Sequence, residues 1–165
     1  MAELLFLTPQ EMTQTTIIGG NVDTDKYTMC ILNTQVRIIE PLLGSELYEK
    51  IKTDLAGAGL SGLYLTLFTD YVKPITKFES CADYIAIAPY MLNNGGLFKS
   101  NPENVEVVSK VEVDALSERY SSMAQSYIVR FEKFISLNEL SIPEYKISQD
   151  KVDAQSIDVN NCWYF

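Results

Sequence analysis

The feature that most restricts the fold of this chain is a long apolar stripe between residues 113 and 134. Apolar side chains recur there every three or four residues, which is the spacing of one face of an α-helix. Ser109 and Glu112 are typical of a capping box, in which both side chains satisfy free backbone N–H groups at a helix start. We therefore predict a final helix over residues 110–137, with a buried face formed by Val113, Leu116, Tyr120, Met123, Tyr127, Phe131 and Phe134.

The same kinds of signal predict four further helices upstream. They span residues 9–14, from 23–25 to 41, 46–55 and 61–93. Thr8 and Glu11 form a second capping-box pattern. Pro74 lies inside the fourth of these helices and removes a hydrogen bond, so it should kink or split that helix near Val72. The predicted buried faces are Met29, Leu32, Val36 and Ile39 on the second helix, Leu47, Tyr48 and Ile51 on the third, and Ile75, Phe78, Ala82, Ile85 and Ala86 on the fourth.

Two segments do not follow helical spacing. Residues 97–99 and 106–108 resemble short strands, so we predict a small β-hairpin insertion over about residues 95–108. After Pro143 the apolar residues alternate loosely, and residues 146–165 are predicted to form a non-helical C-terminal arm. The predicted fold class is therefore mainly α, a helical bundle of about five helices over residues 1–145 with this insertion and this arm.

The composition disfavours several classes of function. The chain has no histidine, and its three cysteines, Cys30, Cys81 and Cys162, are too far apart for a zinc motif or a disulfide framework. The formal net charge of −9 opposes broad binding to nucleic-acid phosphates. No apolar run reaches the roughly 18 residues of a membrane span. We therefore predict no enzyme activity, no cofactor, no metal site and no membrane contact.

Two groups of acidic residues deserve a chemical interpretation beside the structural one. Asp23 and Asp25 have a spacing seen in metal sites, but capping of a helix explains them better because the further carboxylates of an oxygen-ligand loop do not follow. Glu40, Glu46 and Glu49 cluster near a turn. Because no basic or nucleophilic partner is evident for them in the sequence, we predict a solvated face rather than a carboxylate pair for acid–base chemistry.

A glycine cluster and one cysteine have equally plain interpretations. Gly57, Gly59 and Gly62 precede a helix but lack the Gly-Lys-Ser/Thr end of a phosphate-binding loop, so we predict a linker. Cys81 lies in an apolar helical stripe with no histidine in the chain to activate it, and we predict that it packs in the core.

The order of several features resembles a known family. The chain contains PLLGSELY at residues 41–48, a long helix broken by Pro74, NGGL at residues 94–97, a long helix with Tyr120, Tyr127 and Phe131, and PEY at residues 143–145. This order resembles the head–tail connector proteins of tailed bacteriophages, also called neck ring or head-completion proteins. It is most similar to the ring proteins of crAss-like phages. The resemblance covers about residues 1–145.

The resemblance implies a structural virion protein without catalytic residues, made in the host cytoplasm. It implies a homomeric ring of about twelve copies, the closed symmetric form typical of such assemblies. The ring would lie between the portal protein and the adjacent neck or tail protein, and DNA would pass through its channel without sequence-specific binding. By analogy, loops and terminal arms hold such rings together, which gives the following candidate interface residues: Gly95, Gly96, Leu97, Phe98, Val105, Val107, Ile157, Val159, Trp163, Tyr164 and Phe165.

Three alternatives stay open at this level. The C-terminal arm either folds back on its own domain or docks on a neighbouring copy. The protein is either the ring subunit or a monomeric or dimeric α-helical adaptor that binds a partner protein or peptide. An enzyme that uses carboxylates alone is the third reading.

Overall fold

The computed structural model describes residues 4–19, 24–93, 96–99 and 109–145. The helical elements are α1 (Pro9–Thr15), α2 (Thr24–Thr34), α3 (Glu40–Leu43), α4 (Ser45–Ala56), α5 (Gly62–Leu67), α6 (Lys73–Ile87), α7 (Lys110–Asn138) and a short 3-10 turn (Glu139–Ser141). The predicted mainly α class is confirmed. None of the described helices is both long and apolar enough to cross a membrane.

Both predicted capping boxes are present. The Thr8 hydroxyl accepts a hydrogen bond from the Glu11 backbone N–H at 3.2 Å, and the Glu11 carboxylate accepts one from the Thr8 N–H at 2.9 Å. Ser109 and Glu112 repeat this arrangement at the start of α7. These helix starts are readable from sequence because each capping box uses residues only three positions apart.

Two prolines are each preceded by a wide, π-helical turn. The first wide turn (Gln35–Ile39) joins α2 to α3 and ends two residues before Pro41. The second wide turn (Phe68–Val72) joins α5 to α6 and ends two residues before Pro74. A proline inside a helix lacks an N–H and clashes with the carbonyl four residues earlier, and a wide turn relieves this clash. The disturbance predicted near Val72 takes the form of this wide turn, and the helix is not split, because the backbone stays helical from Gly62 to Ile87.

The predicted buried face of the second helix is wrong at two of its four positions, and Leu32 is half-buried. Met29 and Val36 are 53% and 52% exposed, whereas Ile39 is fully buried as predicted. The core side of α2 is formed instead by residues such as Tyr27 and Ile31, which are fully buried. The helix carries two apolar stripes, and spacing alone does not say which one packs against α6.

The predicted buried face of α7 is correct toward its C-terminal end. Phe131 is fully buried, and Tyr127 and Phe134 pack against the same cluster. Met123 is exposed instead, and its neighbour Ala124 is buried. A small residue at that position suits the packing of α7 along α6.

One predicted strand, residues 97–99, is present within β2, but its described partner is a segment that was predicted to be helical. Strands β1 (Tyr90–Asn93) and β2 (Gly96–Lys99) form an antiparallel pair with Met91 opposite Phe98 and Leu92 opposite Leu97. The helix predicted to reach residue 93 therefore ends at Ile87, and β2 pairs with the segment before it. The second predicted strand, residues 106–108, lies outside the described residues. The insertion predicted over 95–108 is not supported. The two strands flank the dipeptide Asn-Gly, the sequence most typical of a two-residue hairpin.

Two buried clusters form the core. The larger one joins Phe6 to α4, both wide turns, α6 and the end of α7, and the smaller one joins α1 and α2 to Cys81 of α6. The core residues predicted on the third helix are all buried, as are Ile75, Phe78 and Ala82 on the fourth, whereas Ile85 is only partly buried and Ala86 is exposed. The predicted linker is confirmed as the connection between α4 and α5, where Gly59 adopts a positive φ of 85°.

Candidate functional site

The described structure contains only part of the predicted interface. Gly96, Leu97 and Phe98 lie in β2, in the register with β1 given above. The other predicted interface residues lie outside the described residues: Gly95, Val105, Val107, Ile157, Val159, Trp163, Tyr164 and Phe165. For the C-terminal arm, the structure shows the residues that directly precede it, 142–145, which we call the root of the arm.

The root of the C-terminal arm is firmly attached to the bundle. Ile142 is fully buried, and the ring of Tyr145 packs edge-on against Phe131 with 6.0 Å between ring centroids. The Tyr64 hydroxyl donates a hydrogen bond to Glu144 Oε2 at 2.7 Å, which joins the root to α5. The chain is thus held to the bundle at three residues before residue 146, namely Ile142, Glu144 and Tyr145.

A charge cluster surrounds the hydrogen bond between Tyr64 and Glu144. Lys50 Nζ lies 4.0 Å from Glu144 Oε1, 3.4 Å from Asp54 Oδ2 and 4.9 Å from the centroid of the Tyr64 ring. Burial raises the pKa of Tyr64 to about 12, and the hydrogen bond to Glu144 together with the negative charges of Glu144 and Asp54 contributes to the rise. Tyr64 is therefore held as a neutral hydrogen-bond donor to a carboxylate.

The end of α7 presents two leucines to solvent. Leu137 is 85% exposed and Leu140, three residues later, is 94% exposed. We call them the leucine pair. Leu137 and Leu140 continue the three-residue spacing of Phe134, which is typical of a buried helix face. Their exposure could therefore not be predicted from the sequence. Exposed apolar groups can mark a contact surface, so the leucine pair makes this end of the bundle a candidate for one.

The polar groups weighed for chemistry have structural surroundings. Burial raises the pKa of Cys30 and of Cys81 to about 11, so both thiols are protonated near neutral pH. The prediction that Cys81 packs in the core is confirmed. The prediction that the cluster of Glu40, Glu46 and Glu49 has no basic partner is wrong, because Lys52 pairs with Glu49 at 3.1 Å.

The predicted solvated character of that acidic face holds in part. Glu46 and Glu49 are exposed, whereas Glu40 is half-buried. Asp25 lies in the first turn of α2, consistent with a role at a helix start, and Asp23 lies outside the described residues. Within the described ranges, no three Cys, Asp or Glu side chains lie close enough together to hold a metal ion.

Gln35 is a buried polar residue that sequence reasoning missed. Its side-chain oxygen accepts a hydrogen bond from the Phe6 backbone N–H at 2.8 Å, and its nitrogen donates one to the Leu4 carbonyl oxygen at 3.0 Å. Its partners lie about 30 positions away in the chain, so no local pattern could have indicated them.

The comparisons with known proteins give one match. No curated protein and no solved structure matches the chain. Residues 39–155, more than two thirds of the chain, match the family described as "Family of unknown function (DUF6712)". The match begins in the first wide turn and extends ten residues beyond the described end of the bundle. The chain therefore belongs to the DUF6712 family.

Proposed function

We propose that this protein is a structural virion protein, a head–tail connector subunit that forms a homomeric ring between the portal protein and the tail. The observation that carries the proposal is the leucine pair, Leu137 and Leu140, which stands in water at one end of the bundle. Burial of a leucine side chain contributes roughly 1.5–3 kcal/mol. A subunit that associates through this end gains that contribution for each leucine it covers.

The attachment of the arm root supports the same role. The hydrogen bond from Tyr64 to Glu144 and the packing of Tyr145 fix the point from which residues 146–165 depart. A segment that links subunits transmits force only if its root does not peel away from the domain. The anchored root and the exposed leucines are the two features that suit a building block of a larger assembly.

The proposed role is non-enzymatic and has specific partners. These are identical subunits, the portal protein and the adjacent neck or tail protein, with DNA passing through the ring. The subunit's net charge of −9 fits a channel that does not hold the phosphates of the passing duplex.

Native mass spectrometry of the full-length chain, alone and with the portal protein of the phage that encodes it, tests this proposal. We expect a ring of about twelve copies, and electron microscopy of intact particles should place it at the neck. A stable one-to-one complex with a single partner would instead support the helical adaptor. Turnover of a substrate that is lost on substitution of Glu40 or Glu46 would support the carboxylate enzyme and contradict the connector.

The double variant Leu137→Ser/Leu140→Ser tests the contact surface. Both side chains are exposed, so the variant should keep the wild-type stability within about 0.5 kcal/mol. We expect it to stay monomeric where the wild type assembles. Val111→Ser is the matched control, because Val111 is also largely exposed but lies at the opposite end of α7. Equal loss of assembly in the control would show that the leucine pair has no special role.

A further inference from the structure

Residues 4–11, which we call the strap, contact the first wide turn through Gln35. This residue opens the turn and is almost fully buried. Its amide forms hydrogen bonds with the backbone of both Leu4 and Phe6, two positions apart. These two hydrogen bonds resemble those that a neighbouring β-strand would make with the strap. Because both involve backbone atoms of the strap, they do not depend on the identity of its side chains.

The strap also contacts both ends of the second wide turn. Phe68 opens this turn, and its ring meets Phe6 edge-on with 5.5 Å between centroids. Lys73 closes the turn, since its backbone N–H makes the wide hydrogen bond to the Phe68 carbonyl oxygen. The Lys73 ammonium group pairs with Glu11 Oε1 at 2.6 Å. The strap thus contacts Gln35 at the start of the first wide turn, and Phe68 and Lys73 at the start and close of the second.

The ring of Phe6 fills an aromatic pocket in the bundle. The centroid of the Tyr48 ring lies 5.3 Å from that of Phe6, and Ile39 and Leu43 belong to the same buried cluster. The family match begins at Ile39, so these pocket walls and Phe68 belong to the matched segment, whereas the strap precedes it.

Each wide turn relieves the clash of the proline that follows it, and the strap contacts residues at the start of the first turn and at the start and close of the second. We propose that the strap is a conformational latch. Docked, it holds both wide turns in place; detached, it loosens both turns together and opens the aromatic pocket between Tyr48 and Phe68. The latch rests on contacts within one chain and does not depend on the proposed virion role.

Amide hydrogen exchange in the full-length chain, followed by NMR, tests the latch. The reporters are the amides of Glu40 and Lys73, whose N–H groups make the hydrogen bonds across the two wide turns. Gln35→Met removes the contact of the strap with the first turn, and Glu11→Gln weakens its contact with the second. The latch requires each variant to accelerate exchange at both reporters, by about fivefold relative to Ala124 in α7, which reports global opening.

The two variants and a control separate coupling from general loss of stability. Ile135→Val removes one methyl group from the buried face of α7 and should change exchange at the reporters and at Ala124 by the same factor. Glu11→Gln alters a half-exposed side chain, so this variant should fold. It can therefore be used for the test if Gln35→Met does not fold. Acceleration confined to the turn nearest each substitution, or equal acceleration at Ala124, would overturn the latch.

Discussion

Removal of the phenol hydroxyl by Tyr64→Phe should weaken the root of the C-terminal arm in a pH-dependent way. The hydroxyl donates to Glu144 at 2.7 Å, and a hydrogen bond to a charged group contributes about 1.5–3 kcal/mol. The Glu144 side chain is 26% exposed, so water replaces part of this contribution. We expect Tyr64→Phe to lower the free energy of unfolding by about 1.5 kcal/mol at pH 8.

The cost of this substitution should shrink at alkaline pH. The pKa of Tyr64 is raised from 10 to about 12 in the folded chain. A raised pKa stabilises the folded state below the unfolded value, and this stabilisation is lost as pH rises from about 10 through 12. Because Tyr64 is partly exposed, solvent screening limits the effect to about 1 kcal/mol. The difference between wild type and Tyr64→Phe should therefore fall by about 1 kcal/mol between pH 8 and pH 11.

Urea unfolding at pH 8 and pH 11 measures both quantities. Comparison of the two chains at each pH cancels the alkaline loss of stability that they share. Tyr90→Phe is the matched control: it removes an exposed phenol hydroxyl and should change stability by less than about 0.5 kcal/mol at either pH. A Tyr64→Phe difference that stays constant or grows between the two pH values would refute the reasoning that Glu144 holds a neutral phenol.

Two further predictions concern the N-terminal helix and the buried thiols. Burial acts to raise the pKa of Glu11, but hydrogen bonds from Lys73 and Thr8 outweigh it, and the pKa is lowered. The resulting stability is present above the unfolded value of 4.5 and is lost as pH falls through the lowered pKa of the folded chain, so Glu11→Gln should cost about 1 kcal/mol at pH 7 and progressively less below pH 4.5 in urea unfolding. A cost independent of pH would contradict the assignment. Cys30 and Cys81 should react with a thiol reagent at pH 8 at least about a hundredfold more slowly than in the unfolded chain, as peptide mass mapping would show. Rapid labelling of either residue in the folded chain would disprove its burial.

Local patterns predicted much of the helical framework. The capping boxes at Thr8 and Ser109 are present in the structure. The helix is also disturbed before Pro74, where it forms a wide turn. Each depends on residues within one helical turn, so the physical cause lies within the pattern itself. The buried thiol of Cys81 was also predictable, because it lies among apolar residues at helical spacing.

The candidate site was less predictable. The leucine pair follows the same spacing as Phe134, yet Phe134 packs on the core and the pair does not. The hairpin was predicted to pair residues 97–99 with 106–108, whereas β2 pairs with β1. Exposure and strand partners depend on which other elements lie nearby, and a single sequence does not give that information.

By itself, the sequence determined the class of the fold, most of its helix starts and the disturbance before Pro74, because these follow from hydrogen bonding over three to five residues. Only the tertiary structure decided which apolar stripe of α2 is buried, and that Gln35 binds the backbone of a segment some 30 positions away. Burial and long-range hydrogen bonds are properties of neighbours in space, so they are settled when the helices pack.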